Sequence, residues 1–145
     1  MSESEKLFKA METDEKQILS IKAKLLAARD RPLQVRLKMP GSEDIVIPSR
    51  KLRGSELINM TREFNEINPK LASPSELETV TLTPDENQRA YQIMDRYIEL
   101  ATGLEREWLT KELDDVRIRI GLLKGIVEGS SLSAEELQGL KKFRS

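Results

Sequence analysis

The residues that most often carry chemistry are scarce in this chain. Among its 145 residues there is no cysteine and no histidine. Without histidine the commonest general base and metal ligand is gone, and so is the one side chain that ordinarily titrates near neutral pH. Without cysteine there are no thiolate metal sites and no disulfides. Carboxylates remain. Asp114-Asp115 and Glu135-Glu136 are adjacent pairs, and neighbours along a helix point in different directions. They read as acids at helix starts, where the positive end of the dipole favours them. The serines and threonines have no histidine to activate one. "GLLKGIVEGSS" sets Lys124 beside Gly125 but lacks the residue order of a phosphate loop. No catalytic set, metal site or cofactor site is expected, and the chain reads as a non-enzyme.

Binding chemistry is the next possibility. Net charge is −1, so no global field draws nucleic acid or anionic lipid. Two local basic sets exist: Arg31, Arg36, Lys38, Arg50, Lys51 and Arg53, and then Arg117, Arg119, Lys141, Lys142 and Arg144. A basic strand face can contact a nucleic-acid backbone. The chain has one tryptophan, two tyrosines and three phenylalanines, and none interleaves with the first set as a base-stacking platform requires. Nucleic acid is therefore not the expected partner.

The elements that hold these residues follow from periodicity. From Glu3 to Arg29 there is no proline or glycine. Leu7, Met11, Ile18, Ile21, Leu25 and Ala28 step by three or four, with Asp14 interrupting. This is a helix close to a heptad seam, packed on its own domain or on another chain. Pro32 stops it. In "LQVRLKM", Leu33, Val35, Leu37 and Met39 alternate with polar residues, the pattern of a half-buried strand. "PGSED" supplies a turn, and Ile45 to Ile47 the return strand, which Pro48 ends or places at an edge. An isolated hairpin is marginal in water, so this one must lie over something apolar.

A helix is expected from about Ser55 to Ile67, with Gly54 or Ser55 as N-cap and Leu57, Met60, Phe64 and Ile67 as its stripe. Residues 71–82 read as a linker with a turn of helix at Pro74. Thr83, Pro84 and Glu86 form a capping box at the start of the next helix. Ala90, Met94, Tyr97, Ile98 and Ala101 are its stripe, and Gly103 its C-terminal glycine. Leu109, Leu113, Val116, Ile120, Leu123 and Val127 continue the helical spacing, with a restart at Asp114-Asp115. Gly121, Gly125 and Gly129 line one helix face, for close packing within the chain or between chains. Ser133 and Glu136 cap a last short helix, with Leu132 and Leu137 as its staple.

The order of these segments resembles the tail-assembly chaperones of long-tailed phages and proviruses. The likeness is carried by "VRLKMPGSEDIVIPSRKLRGSELINM", then "LTPDE", then "ATGLEREWLTKELDDVRIRIGLLKGIVEGSS", covering Val35 to Ser131. The resemblance implies a protein that binds the long, apolar tape-measure protein and keeps it soluble until tail-tube subunits displace it. It implies no catalysis. It also implies that short and frameshift-extended forms exist.

The expected class is mainly α with a small β-hairpin (α+β): about five helices and a two-stranded antiparallel element. The expected organisation is an amphipathic helix over residues 1–31, a hairpin-and-helices core over 32–131, and a short helix over 132–145. Partner contacts are assigned to Leu7, Met11, Ile18, Ile21, Leu25, Met39 and Trp108, the lone tryptophan being a core anchor or an exposed one. The expected partners are a tape-measure-like protein client and a further copy of the chain. The runner-up roles are another oligomerising virion or adaptor protein, and a small DNA-binding regulator. No apolar run nears the roughly 20 residues that span a bilayer. "MSESEKLFKAMETDEK" lacks the apolar stretch of a signal peptide. The expected location is the host cytoplasm.

Overall fold

The computed structural model describes residues 3–130, with side chains from Asp14 onward. The cap and staple expected at Leu132–Leu137 lie outside the described residues. The described chain is mainly helical with one two-stranded antiparallel sheet, the α+β class expected. Pro32–Ser131 forms one compact unit, and the first helix, α1 (Glu3–Asp30), belongs to another. Each is considered by itself.

In the compact unit, β1 (Leu33–Leu37) pairs with β2 (Ile45–Ser49), with Val35 opposite Ile47. The turn between them is built by its own residues. Ser42 donates its N–H to Met39 O at 3.2 Å, and Gly41 takes φ +77°. Pro40 before it presets the preceding φ, so the pair meets the demands of a type II turn. One expectation shifts here, and one that offered two alternatives is decided. The strand ends at Leu37, which leaves Met39 half-buried beyond it. Pro48 does not end β2 but sits inside it, opposite Gln34. β2 is an edge strand, where a residue without an N–H is tolerated.

What the hairpin covers is α5 (Val116–Ser130). Residues two apart on a strand are about 6.8 Å apart, and residues four apart on a helix about 6.0 Å. The two rows nearly match, so Leu37, Val35 and Leu33 sit over Gly121, Gly125 and Gly129 in turn. A Cβ at Gly121 would lie 3.4 Å from Leu37 Cδ2, one at Gly125 2.6 Å from Val35 Cγ1, and one at Gly129 would overlap Leu33. The glycine row therefore serves close packing within this chain. The far end of the hairpin is tied down by hydrogen bonds. Arg50 N–H donates to Ala101 O at 2.9 Å, and Leu52 N–H to Ser130 Oγ at 2.8 Å.

The helix α2 (Gly54–Ile67) starts one residue earlier than expected, because Arg53 is its N-cap and donates its N–H to Glu56 Oε1 at 2.8 Å. Met60, Phe64 and Ile67 are buried, and Leu57 half-buried. Pro74–Leu77 makes a 3-10 turn, and Pro74 and Leu77 enter the core. α3 (Pro84–Thr102) begins at the expected box: Thr83 N–H donates to Glu86 Oε1 at 3.0 Å, and Glu86 N–H to Thr83 Oγ1 at 3.2 Å. It ends at Gly103, φ +81°. All five residues of its expected stripe are buried. The run after it breaks before Asp114-Asp115, where a restart is expected. A short helical turn, α4 (Arg106–Trp108), widens into a π turn at Leu109–Leu113. Asp114 then turns left-handed at φ 42°. Asp115 Oδ1 accepts the Ile118 N–H at 3.0 Å and so restarts α5, the role read for this acid pair. The core joins α2, α3, the π turn and α5 through Phe64, Met94, Ile98, Leu109, Leu123 and Ile126, all fully buried, and Val35 brings the hairpin onto it.

Candidate functional site

The residues that leave apolar surface in water fall in both units. On α1, Ile18 is 51% exposed and Leu25 43%. Leu19 and Leu26 beside them are 64% and 50% exposed. Each pair is seven apart, so the four form two adjacent rows along the helix. Ile21 is half-buried. The side chains of Leu7 and Met11 lie outside the described residues. Sequence spacing picked out the Ile18–Leu25 row but missed Leu19 and Leu26. Their equal seven-residue spacing was the available signal.

On the compact unit, Trp108 is 42% exposed while Leu109 is fully buried. Neighbours on a helical turn face about 100° apart, so one anchors the core and the other faces solvent. Met39 is half-buried at the hairpin turn. Ile45, Val46 and Ile58 add exposed apolar surface, with Ile58 at 70%. Ile58 lies with Leu57, Thr61 and Asn65 on a shallow groove of about 670 Å³ along α2. The structure thus leaves Ile18, Leu25 and Trp108 exposed, and Ile21 and Met39 in part.

Lys141, Lys142 and Arg144 lie outside the described residues, and the described basic residues do not form one free row. Arg50 Nη2 donates to Glu56 Oε2 at 2.8 Å and its Nε to Leu100 O at 3.2 Å. It straps the hairpin's end to α2 and α3, and its hydrogen bonds hold the Glu56 carboxyl below the usual carboxylate range. Arg36 lies 3.8 Å from Asp44. Arg119, read as part of a basic set, is buried, which corrects that reading. It makes a bidentate bond to the equally buried Asp95, with Nε to Oδ1 at 2.8 Å and Nη2 to Oδ2 at 2.5 Å. Thr110 Oγ1, inside the π turn, donates to Asp95 Oδ2 at 3.0 Å, and the Arg119 guanidinium lies 5.6 Å from the Tyr91 ring centre. This cluster ties α3, the π turn and α5 together. Sequence reading missed it, although Arg119 next to Ile120 in an apolar helix was a visible sign.

A polar cleft of about 460 Å³ opens near that cluster, among Glu63, Arg89, Gln92, Arg96 and Arg106. Its charges largely pair internally. Arg96 bonds Glu63, and Arg106 Nε lies 3.0 Å from Glu99. Burial, then the hydrogen bond to Glu63, pushes the Tyr97 phenol up. Among the described residues no group of three or more acids is placed to hold a metal ion. Nor is any helix among them long and apolar enough to cross a membrane.

No known family profile matches the chain, and no solved structure matches it. The F subunit of the V-type sodium ATPase of Enterococcus hirae is 27% identical to it over 78 residues, which is 54% of this chain and 67% of that protein.

Proposed function

We propose that this protein is a non-enzymatic assembly chaperone of the phage-tail type, which covers the apolar helices of a long tape-measure protein in the host cytoplasm. The observation that carries the reading is the paired row on α1. Four large aliphatic side chains stand between 43% and 64% exposed on a 28-residue helix outside the compact unit. Contiguous exposed apolar surface is the mark of an interaction site. An amphipathic helical client can lie along them and leave when a better partner arrives. Trp108 and Ile58 offer further apolar contacts on the compact unit. The sequence pattern from Val35 to Ser131 supports the same family. Co-expression with the long coiled-coil-rich reading frame expected downstream is the test. The client should move from the insoluble to the soluble fraction, and should stay insoluble with Ile18→Ser/Leu25→Ser. A client equally soluble with and without this chain would end the proposal.

A second reading, a component of a V-type ATPase, has the 27% identity over 78 residues in its favour. It requires the chain to migrate with a membrane-bound ATPase on a density gradient, which the chaperone reading does not.

A further inference from the structure

We infer that α1 pairs with α1 of a second copy, antiparallel, to make a two-fold dimer. The seam uses the same Ile18–Leu25 row that the proposed client would cover, so client and second copy compete for it, and self-association is tested without any client. Its first support is the repeat. Leu7, Met11, Asp14, Ile18, Ile21, Leu25 and Ala28 alternate steps of four and three without a slip, the seam of a heptad coiled coil. α1 is helical across all of them; of the seam side chains described, Asp14, Ile18 and Leu25 are exposed, Ile21 is half-buried and Ala28 is buried.

The second support is charge, and it decides the direction. Glu3 to Glu15 holds five acids against two lysines, a net of −3. Lys16 to Asp30 holds four bases against one acid, a net of +3. Two such helices side by side and parallel set acid against acid and base against base. Turned end for end, each acidic half lies along a basic half, and the helix dipoles also oppose favourably. Full antiparallel overlap sets Leu7 against Leu25, Met11 against Ile21, and Asp14 against Ile18 of the second copy. In the parallel arrangement the two Asp14 carboxylates would meet in the seam. The antiparallel seam separates them. A two-fold axis is also the commonest symmetry of soluble dimers.

Asp14 weakens the seam, since a carboxylate facing Ile18 loses hydration without gaining a partner there. A seam of three heptads carrying such an acid gives a weak, reversible dimer. That property yields a test which loss of folding cannot imitate. In sedimentation equilibrium of the full chain, Asp14→Leu should tighten the dimer by about tenfold or more. Ile18→Asp/Leu25→Asp should leave only monomer with an unchanged circular dichroism spectrum. For direction, the absence of native cysteine is useful. When Met11→Cys and Ile21→Cys proteins are mixed and oxidised, the antiparallel dimer yields the mixed disulfide, and a parallel one yields each variant linked to itself. Self-linked products overturn the inference. So does an unchanged dimer in Asp14→Leu. A wild-type chain that stays monomeric at every concentration assigns the seam to a different polypeptide, or to residues 131–145 of the same chain, and overturns it as well.

Discussion

α1 and α3 are both long helices, and they dispose of their aliphatic residues in opposite ways. In α3 the stripe Ala90, Met94, Tyr97, Ile98 and Ala101 is buried, and both ends are locked, by the Thr83–Glu86 box and by Gly103. In α1, Ile18, Leu19, Leu25 and Leu26 remain exposed. The difference lies in what each helix meets. The stripe of α3 faces Phe64 of α2 and Leu123 and Ile126 of α5 within one core. α1 belongs to the other unit, and its heptad spacing suits a partner helix. Apolar periodicity therefore states that a face will be covered, while the fold states whether this chain supplies the cover.

The comparison can be broken first at the buried ion pair of the compact unit. Arg119→Ala leaves the Asp95 carboxylate buried and short of its cation, and should cost about 3–5 kcal/mol in urea unfolding. Milder loss would mean that water reaches Asp95. Second is the glycine row under the hairpin. In Gly125→Ala the new Cβ presses on Val35 Cγ1. The overpacking cost of about 1–3 kcal/mol outweighs the gain in helix propensity of roughly 1 kcal/mol. The double variant with Val35→Ala should recover part of the loss, and a cycle with no coupling would show that strand and helix do not touch there.

Third is the cap. Thr83→Ala should lower stability by about 1 kcal/mol, because the Glu86 N–H loses its acceptor. The pH profile belongs with it. Glu56 and Glu86 both titrate below the ordinary carboxylate value in the folded chain, Glu56 through Arg50 and Glu86 through the Thr83 N–H. The unfolded chain therefore takes up protons first. The stability from these groups is whole above the unfolded carboxylate pKa of about 4.3 and drains away as pH falls through the lower folded values. Thermal melts at falling pH should show this. The smallest effect is expected on α1. Ile18→Ser/Leu25→Ser should leave the unfolding of the compact unit within about 0.5 kcal/mol of the parent, since exposed side chains contribute little to it. A larger loss would mean that α1 helps to hold that unit.

Much of the fold was legible because its causes are local. Alternation over Leu33–Leu37, the Pro40-Gly41 turn, the Thr83–Glu86 box and Gly103 each act through neighbours a few residues away. The exposed apolar surface was legible in part. Ile18 and Leu25 stood out by spacing, whereas Leu19, Leu26 and Ile58 did not, since an aliphatic residue looks alike in sequence whether a distant element covers it or not. Leu109, by contrast, was legible as the first residue of the stripe that continues to Val127, and it is fully buried.

The residue order by itself determined the alternation of the hairpin, the starts and stops of the helices, and the heptad spacing of α1 with its opposed charged halves. Those rest on hydrogen bonds and side-chain periods that close within a few residues. Tertiary structure alone decided that Leu33, Val35 and Leu37 would settle on Gly129, Gly125 and Gly121, and that Arg119 would bury itself against Asp95. Those pairings join residues from 24 to 96 positions apart, and only the packing of whole elements brings them within contact.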